Sequence, residues 1–255
     1  MIRRSSFAGA AAALLGLSLA TSILAADAVP AAIKAAVADP ARPDADRQRD
    51  ANRKPGEVLA FAGVKPGDKV NDLLPGGGYF TRLFSKVVGP SGVVYALVPA
   101  RPANAPPGGP DMAAGVQKIA ADPQFSNVRV SDMNKGAPEK VDVAWTSLNY
   151  HDMHNRPDAN LAAFNKQVFD SLKPGGTYIV IDHAAAKGSG KRDTSALHRV
   201  DPELVKSEVT AAGFVFDGES NVLENKQDSH SASSHDASVR GQTDQFVLKF
   251  RKPKA

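Results

Sequence analysis

Residues 70–81 run Val70-Asn71-Asp72-Leu73-Leu74-Pro75-Gly76-Gly77-Gly78-Tyr79-Phe80-Thr81. A short apolar run ends in an acid, and a triple glycine follows. Phe80, Leu83, Phe84, Val87 and Val88 then recur at i, i+3, i+4, i+7 and i+8, one face of a helix. The order predicts a strand, a tight turn and a helix, the opening of a nucleotide-type βαβ unit. Glycines in such a turn let the backbone pass close to a ligand where a side chain would block it.

The rest of the chain continues the alternation. Strands are expected at Lys69–Leu73, Val93–Val98, Asn127–Val130, Val141–Ser147 and Thr177–Asp182. The fully apolar run Val93–Val98 suits the interior of a parallel sheet. Helices are expected after the glycines, at Met112–Ala121, and along Leu161, Phe164, Val168 and Leu172. Another opens at Asp201-Pro202, as N-cap and first helical residue, and closes at Gly213. Lys173-Pro174-Gly175-Gly176 reads as a turn. Phe214–Phe216 and Gln245–Phe250 are the last strands, separated by the polar stretch 224–244. Five β/α steps predict an α/β fold with a doubly wound, Rossmann-like, seven-stranded, mostly parallel sheet. The final pair joins without a crossover helix, so one C-terminal strand should run antiparallel. Upstream, a helix is expected over Asp44–Phe61 with a break near Pro55. The Ala- and Pro-rich stretch 27–43 reads as a flexible, exposed arm, leaving 44–255 as one domain.

Met1-Ile2-Arg3-Arg4 is a basic start, Phe7–Leu24 is apolar, and Ala26-Asp27-Ala28 offers a small-residue cleavage pattern. Residues 1–26 therefore read as a secretory signal, with export to the periplasm. A membrane anchor is the alternative; the small residues favour cleavage, so no stable membrane insertion is expected afterwards. Arg3-Arg4 also raises a twin-arginine export route. Lysines and arginines number 31 against 27 acids; removing the leader takes Arg3 and Arg4 and lowers the net charge from +4 to +2. That balance, without a dense basic run, speaks against nucleic acid as partner. The chain has no cysteine, which excludes disulfides, thiolate metal sites and a cysteine nucleophile.

The sequence resembles class I S-adenosylmethionine-dependent methyltransferases, and within them a subfamily of exported "predicted methyltransferase" proteins. The resemblance rests on Asp46–Pro55, Leu74–Tyr79, Val94-Tyr95-Ala96, Leu172–Gly176 and Arg240–Phe246, and runs from about Arg42 to Pro253. It implies S-adenosylmethionine as cofactor and a small-molecule methyl acceptor as substrate. Asp72, Gly76, Gly77 and Gly78 stand where the family holds the methionine part of the cofactor. Asp132 stands where an adenine contact lies. Asn149-Tyr150-His151-Asp152 stands where methyl group and acceptor meet. Two positions depart from the pattern. Leu74 replaces the first glycine, and Val98 replaces the acid that grips the ribose hydroxyls, which weakens the cofactor's hold. A dinucleotide dehydrogenase would want an acid at Val98 too, and a glycine at Thr81.

Ligands of open α/β sheets bind at the carboxyl ends of the strands. His151 and Asp152, Asp182 and His183, His198 and Arg199, and Asp228, His230 and Arg240 should gather there. Methyl transfer to oxygen or nitrogen often needs a base, and histidine suits that task near neutral pH. His151 is the first candidate, with Asp152 or Asp182 orienting an imidazole, and His183 is the second. Each of these histidines also reads as an ordinary solvated or hydrogen-bonding residue. His151, His183 and His230 with Asp182 or Asp228 have the chemistry of a metal set, but no H-x-x-x-H spacing supports it and no metal ligand is assigned. Trp145 reads as core, Asp142 as a local partner, and His235 as solvated loop. Besides the transferase, two functions stay open on the same scaffold: a non-catalytic periplasmic ligand-binding protein, and a metal-assisted hydrolase.

Overall fold

The computed structural model describes residues 29–101, 106, 109 and 111–254. The leader expected at 1–26 lies outside them. Seven strands form one sheet: β1 (Lys69–Leu73), β2 (Val93–Val98), β3 (Val128–Asp132), β4 (Val141–Ser147), β5 (Leu172–His183), β6 (Val215–Ser220) and β7 (Gln245–Arg251). Their spatial order is β3-β2-β1-β4-β5-β7-β6. β1 to β5 pair in parallel. β7 runs antiparallel between β5 and β6, as the helix-free connection demands. Among the described residues no helix is long and apolar enough to cross a membrane.

The helix after the glycines is α5 (Tyr79–Val88). The apolar stripe of α5 lies flat on the sheet, with Leu83, Phe84 and Val88 fully buried. Phe80 and Phe84 close on Trp145 of β4, with ring centroids 4.7 and 5.2 Å away. Full burial of each such side chain stabilises by about 1.5–3 kcal/mol. Trp145 is thus core, as its setting in an apolar strand suggests. The turn from α5 into β2 at Gly92 is tight: a Cβ there would meet the Asp68 carbonyl oxygen and the Val88 Cβ, each at 2.5 Å.

Two regions depart from the sequence reading. Of the stretch 27–43, the described residues 29–43 are no exposed arm. They contain α1 (Ala31–Val37), with Ile33 and Ala36 buried against the sheet-covering helices. Ile33, Ala36 and Val37 sit at i, i+3, i+4, a stripe too narrow to stand out in alanine-rich sequence. Arg42 follows, also buried, in a bidentate pair with Asp50 at 2.8 and 2.7 Å. The expected helix over Asp44–Phe61 is three pieces: α2 (Asp44–Arg47), α3 (Asp50–Arg53) and α4 (Pro55–Ala62). Lys54, at φ 40°, turns the chain before Pro55, which excludes the right-handed helical conformation from its predecessor. The expected turn Lys173–Gly176 lies inside β5, where the register with β4 shifts between Val141 and Val143. The helices α6 (Ala114–Ala121), α7 (Tyr150–Met153), α8 (Leu161–Ser171) and α9 (Pro202–Ala211) complete the layers.

Candidate functional site

The carboxyl ends of β1, β4 and β5 meet at one edge. The chain there is conformationally loaded. Leu74 (φ 54°) and Leu148 (φ 60°) both sit in the left-handed region, beside Gly76 (φ 56°) and Gly78 (φ 78°). That conformation costs a branched residue roughly 1–2 kcal/mol. Asn149 pins it: its Nδ2 donates to the Leu74 carbonyl at 3.1 Å and to Leu73 at 3.4 Å, while Thr146 Oγ1 donates to its Oδ1. Strain held by neighbours in this way is typical of ligand-clamping segments.

Leu74 and Leu148 wall a cavity of 210 Å³ together with Gly76, Gly77, Asp72 and Arg53. A Cβ added at Gly76 or Gly77 would meet none of the described residues within 4 Å, so a side chain at either would stand in open space beside the cavity. Gly78 differs: it caps α5, and a Cβ there would meet Ile119 Cδ1 at 2.2 Å. Its role is close packing against α6. Asp72 is buried and accepts from Thr81 Oγ1 at 2.6 Å. Burial pushes its carboxyl up to about 7, against the opposing pull of the Thr81 hydroxyl and the Arg53 guanidinium. Arg53 lies over the Tyr79 ring, 4.7 Å from its centroid, and has no carboxylate ion pair among the described residues. Burial and neighbouring Arg49 both pull its pKa down, so it is a cation short of a partner.

A second cavity of 500 Å³ lies on the other flank of the glycine turn, sharing Leu74, Gly76 and Asn149 and adding Pro99, Met112 and Asp152. Val98 and Asp132 are register partners at the ends of β2 and β3. Val98 is buried in the core. Asp132 accepts from the Asn134 backbone N–H at 2.9 Å and lines neither cavity, so the carboxylate expected to face adenine is engaged in its own turn.

The structure brings His151, Asp152 and Asp182 together. His151 is buried; its Nδ1 lies 2.8 Å from Asp182 Oδ1, and its backbone N–H donates to Asp182 Oδ2 at 2.7 Å. Burial works against charge on the ring, but the Asp182 and Asp152 carboxylates outweigh it and push the pKa up to about 10. His183 points elsewhere. Its Nδ1 meets Thr243 Oγ1 at 2.7 Å, and burial holds its pKa down to about 4. It lines a third cavity, of 400 Å³, with Arg49, Arg53, Arg240 and His235. Leu148, Arg49 and Arg53 are common to this cavity and the 210 Å³ one. The metal set considered from the sequence is not assembled, because His183 turns to Thr243 and His230 Nε2 to Asp244 Oδ2 at 2.9 Å. Arg49 and Arg53 carried no assignment in the sequence; the Arg/Asp-rich run Asp46–Arg53 was the available signal. A cavity of 780 Å³ lies at the opposite, amino-end edge, near Asp68, Lys173 and Arg251. It is larger than these three but lies away from the strand ends where open α/β sheets bind ligands.

No protein-family profile matches the sequence, and no curated protein does. Solved structures do match. A S-adenosylmethionine-dependent methyltransferase from Aquifex aeolicus is 18% identical over 83% of this chain and 98% of its own, with a TM-score of 0.57. The [4+2]-cyclase SpnF is 16% identical over 83% of this chain and 82% of its own, at 0.56. A S-adenosylmethionine-dependent methyltransferase from Mesorhizobium loti is 15% identical over 80% and 99%, at 0.53. The chain has the class I methyltransferase fold.

Proposed function

We propose that the protein is an exported S-adenosylmethionine-dependent methyltransferase acting on a small molecule. The observation that carries this reading is the open glycine turn, with Gly76 shared by two cavities and Gly77 lining the smaller. The smaller cavity alone falls below the roughly 300 Å³ at which ligand sites begin. With its 500 Å³ neighbour it reaches the size a nucleoside cofactor needs. The unpaired Arg53 guanidinium and the Asp72 carboxyl suit a ligand carrying both carboxylate and ammonium. Val98 leaves the ribose hydroxyls without an acidic acceptor, so the grip is looser at that end.

When bound, the cofactor supplies an electrophilic methyl group. The chain's own residues position the acceptor and handle its proton. His183 is the better-placed base. It is neutral near pH 7, and it lines the cavity that adjoins the glycine turn through Leu148 and Arg53. His151, held charged between two carboxylates, is poorly suited to accept a proton. The arginines of the 400 Å³ cavity favour an acceptor with an anionic group. The basic, then apolar, sequence of residues 1–26, with the small residues after it, supports export.

Titration calorimetry of the protein with S-adenosylmethionine and S-adenosylhomocysteine tests this. Binding is expected, with at least tenfold loss in Asp72→Ala; no heat at millimolar ligand would end the proposal. A second reading, a ligand-binding protein without catalysis, is favoured by Val98. It predicts cofactor binding but no S-adenosylhomocysteine formed with any panel of phenol, carboxylate or amine acceptors.

A further inference from the structure

Beside the proposed transfer site, three side chains converge that methyl transfer does not use. His151 Nε2 lies 3.3 Å from Asp152 Oδ1. His198 Nδ1 lies 3.6 Å from the same oxygen. All three donor atoms fall within 4.8 Å of one another. We propose that His151, Asp152 and His198 form a binding site for a divalent transition-metal ion, zinc foremost.

The spacing fits the ion. Zinc binds imidazole nitrogen and carboxylate oxygen at about 2.0–2.1 Å, so ligand atoms at the corners of its tetrahedron stand roughly 3.3 Å apart. The two edges that meet at Asp152 Oδ1 are close to that length. Hydrogen bonding already orients the first ligand. Asp182 engages His151 Nδ1 at 2.8 Å, so an ion at Nε2 would take the place of the proton the ring otherwise carries there, the carboxylate–histidine arrangement that fixes tautomer and ring in metal sites. The second imidazole is short of a partner: His198 Nδ1 is a buried nitrogen without a hydrogen bond among the described residues. A metal would satisfy it.

The chain also holds His198 there deliberately. Its backbone is in the left-handed region, at φ 52°. The neighbouring Arg199 is fully buried and clamps the loop, pairing with Asp228 at 2.8 Å and donating to the Ala184 carbonyl at 3.0 Å. His235 stacks on the His198 ring, with centroids 4.2 Å apart and planes 19° from parallel. Two carboxylates, Asp152 and Asp182, favour a cation at this point. Asp152 is half exposed and lines the 500 Å³ cavity, so the site has an entrance. Three protein ligands leave a fourth position for water or a substrate heteroatom, the pattern of catalytic zinc. With no cysteine in the chain, the nitrogen and oxygen donors also admit cobalt, iron or manganese. The proposal stands apart from the methyl-transfer reading.

Untagged full-length protein, stripped with chelator and titrated with Co²⁺, provides the test through visible absorption; Zn²⁺ competition follows. One ion per chain is expected, displaced stoichiometrically by Zn²⁺. His198→Ala and Asp152→Asn should each weaken affinity at least tenfold, with circular dichroism and thermal melting confirming that both variants fold. Absence of binding at 100-fold excess of Co²⁺ would overturn the proposal and leave ordinary histidine–carboxylate pairs. Binding of unchanged affinity in His198→Ala would overturn it equally.

Discussion

At the scale of single residues, Asp72 sits in tension between fold and function. Its folded pKa of about 7 stands above the ordinary value of 3.8. The folded state therefore holds a proton that the unfolded chain releases, and stability falls as pH rises from about 4 to 7. Above 7 the full penalty stands, a few kcal/mol at roughly 1.4 kcal/mol per unit. Asp72→Asn keeps an acceptor for the Thr81 hydroxyl and removes the charge. It should gain about 1–3 kcal/mol at pH 8 and little at pH 4, read by denaturant unfolding at the two pH values. Equal effects at both would show that the buried charge is not the cause. The position of Asp72 and the glycines was legible because strand, turn and helix each leave a local pattern. Arg53 was not legible: an arginine means nothing until its neighbours show that it lacks a partner. The sequence offered Asp152 or Asp182 as the carboxylate beside an imidazole; the fold shows Asp182, 31 residues away, meeting both Nδ1 and the backbone N–H of His151.

At the scale of elements, α1 shows where pattern reading runs out. Four of its seven residues are alanine, and alanine fits a helix as well as it fits a tether. What decides is the surface it meets, the α5 and α4 side chains around Ile33. Ile33→Ala should cost about 2–4 kcal/mol in denaturant unfolding; a cost near zero would restore the view of 27–43 as a loose arm. The strands fared better, because continuous apolar runs between turn residues are a local signature. The start of β5 was the exception. Lys173–Gly176 has turn chemistry, but pairing with β4 draws it into the sheet.

At the scale of the whole molecule, the polar stretch 224–244 is tied down. Arg199, from the loop before α9, reaches Asp228 and the Ala232 carbonyl, joining two loops 29 residues apart over the ligand-binding edge. Removing one member of a buried pair strands the other charge, so Arg199→Ala should cost about 3–5 kcal/mol. Unfolding in denaturant reads this, and a loss below 1 kcal/mol would mean that the loop is held by other contacts. Composition alone gave this stretch the look of solvent-exposed chain, since a buried ion pair is invisible until both partners are placed. The overall winding was visible because five alternations admit few topologies. The position of β7 carries a consequence for how the molecule is made. A ribosome delivers β6 about 25 residues before the strand that must lie between it and β5. Until β7 emerges, β5 presents an open edge and β6 has no neighbour to pair with. Vectorial synthesis can therefore build the β1–β5 half early, but the sheet closes only with the last strand, which makes the C-terminal segment the latch of folding.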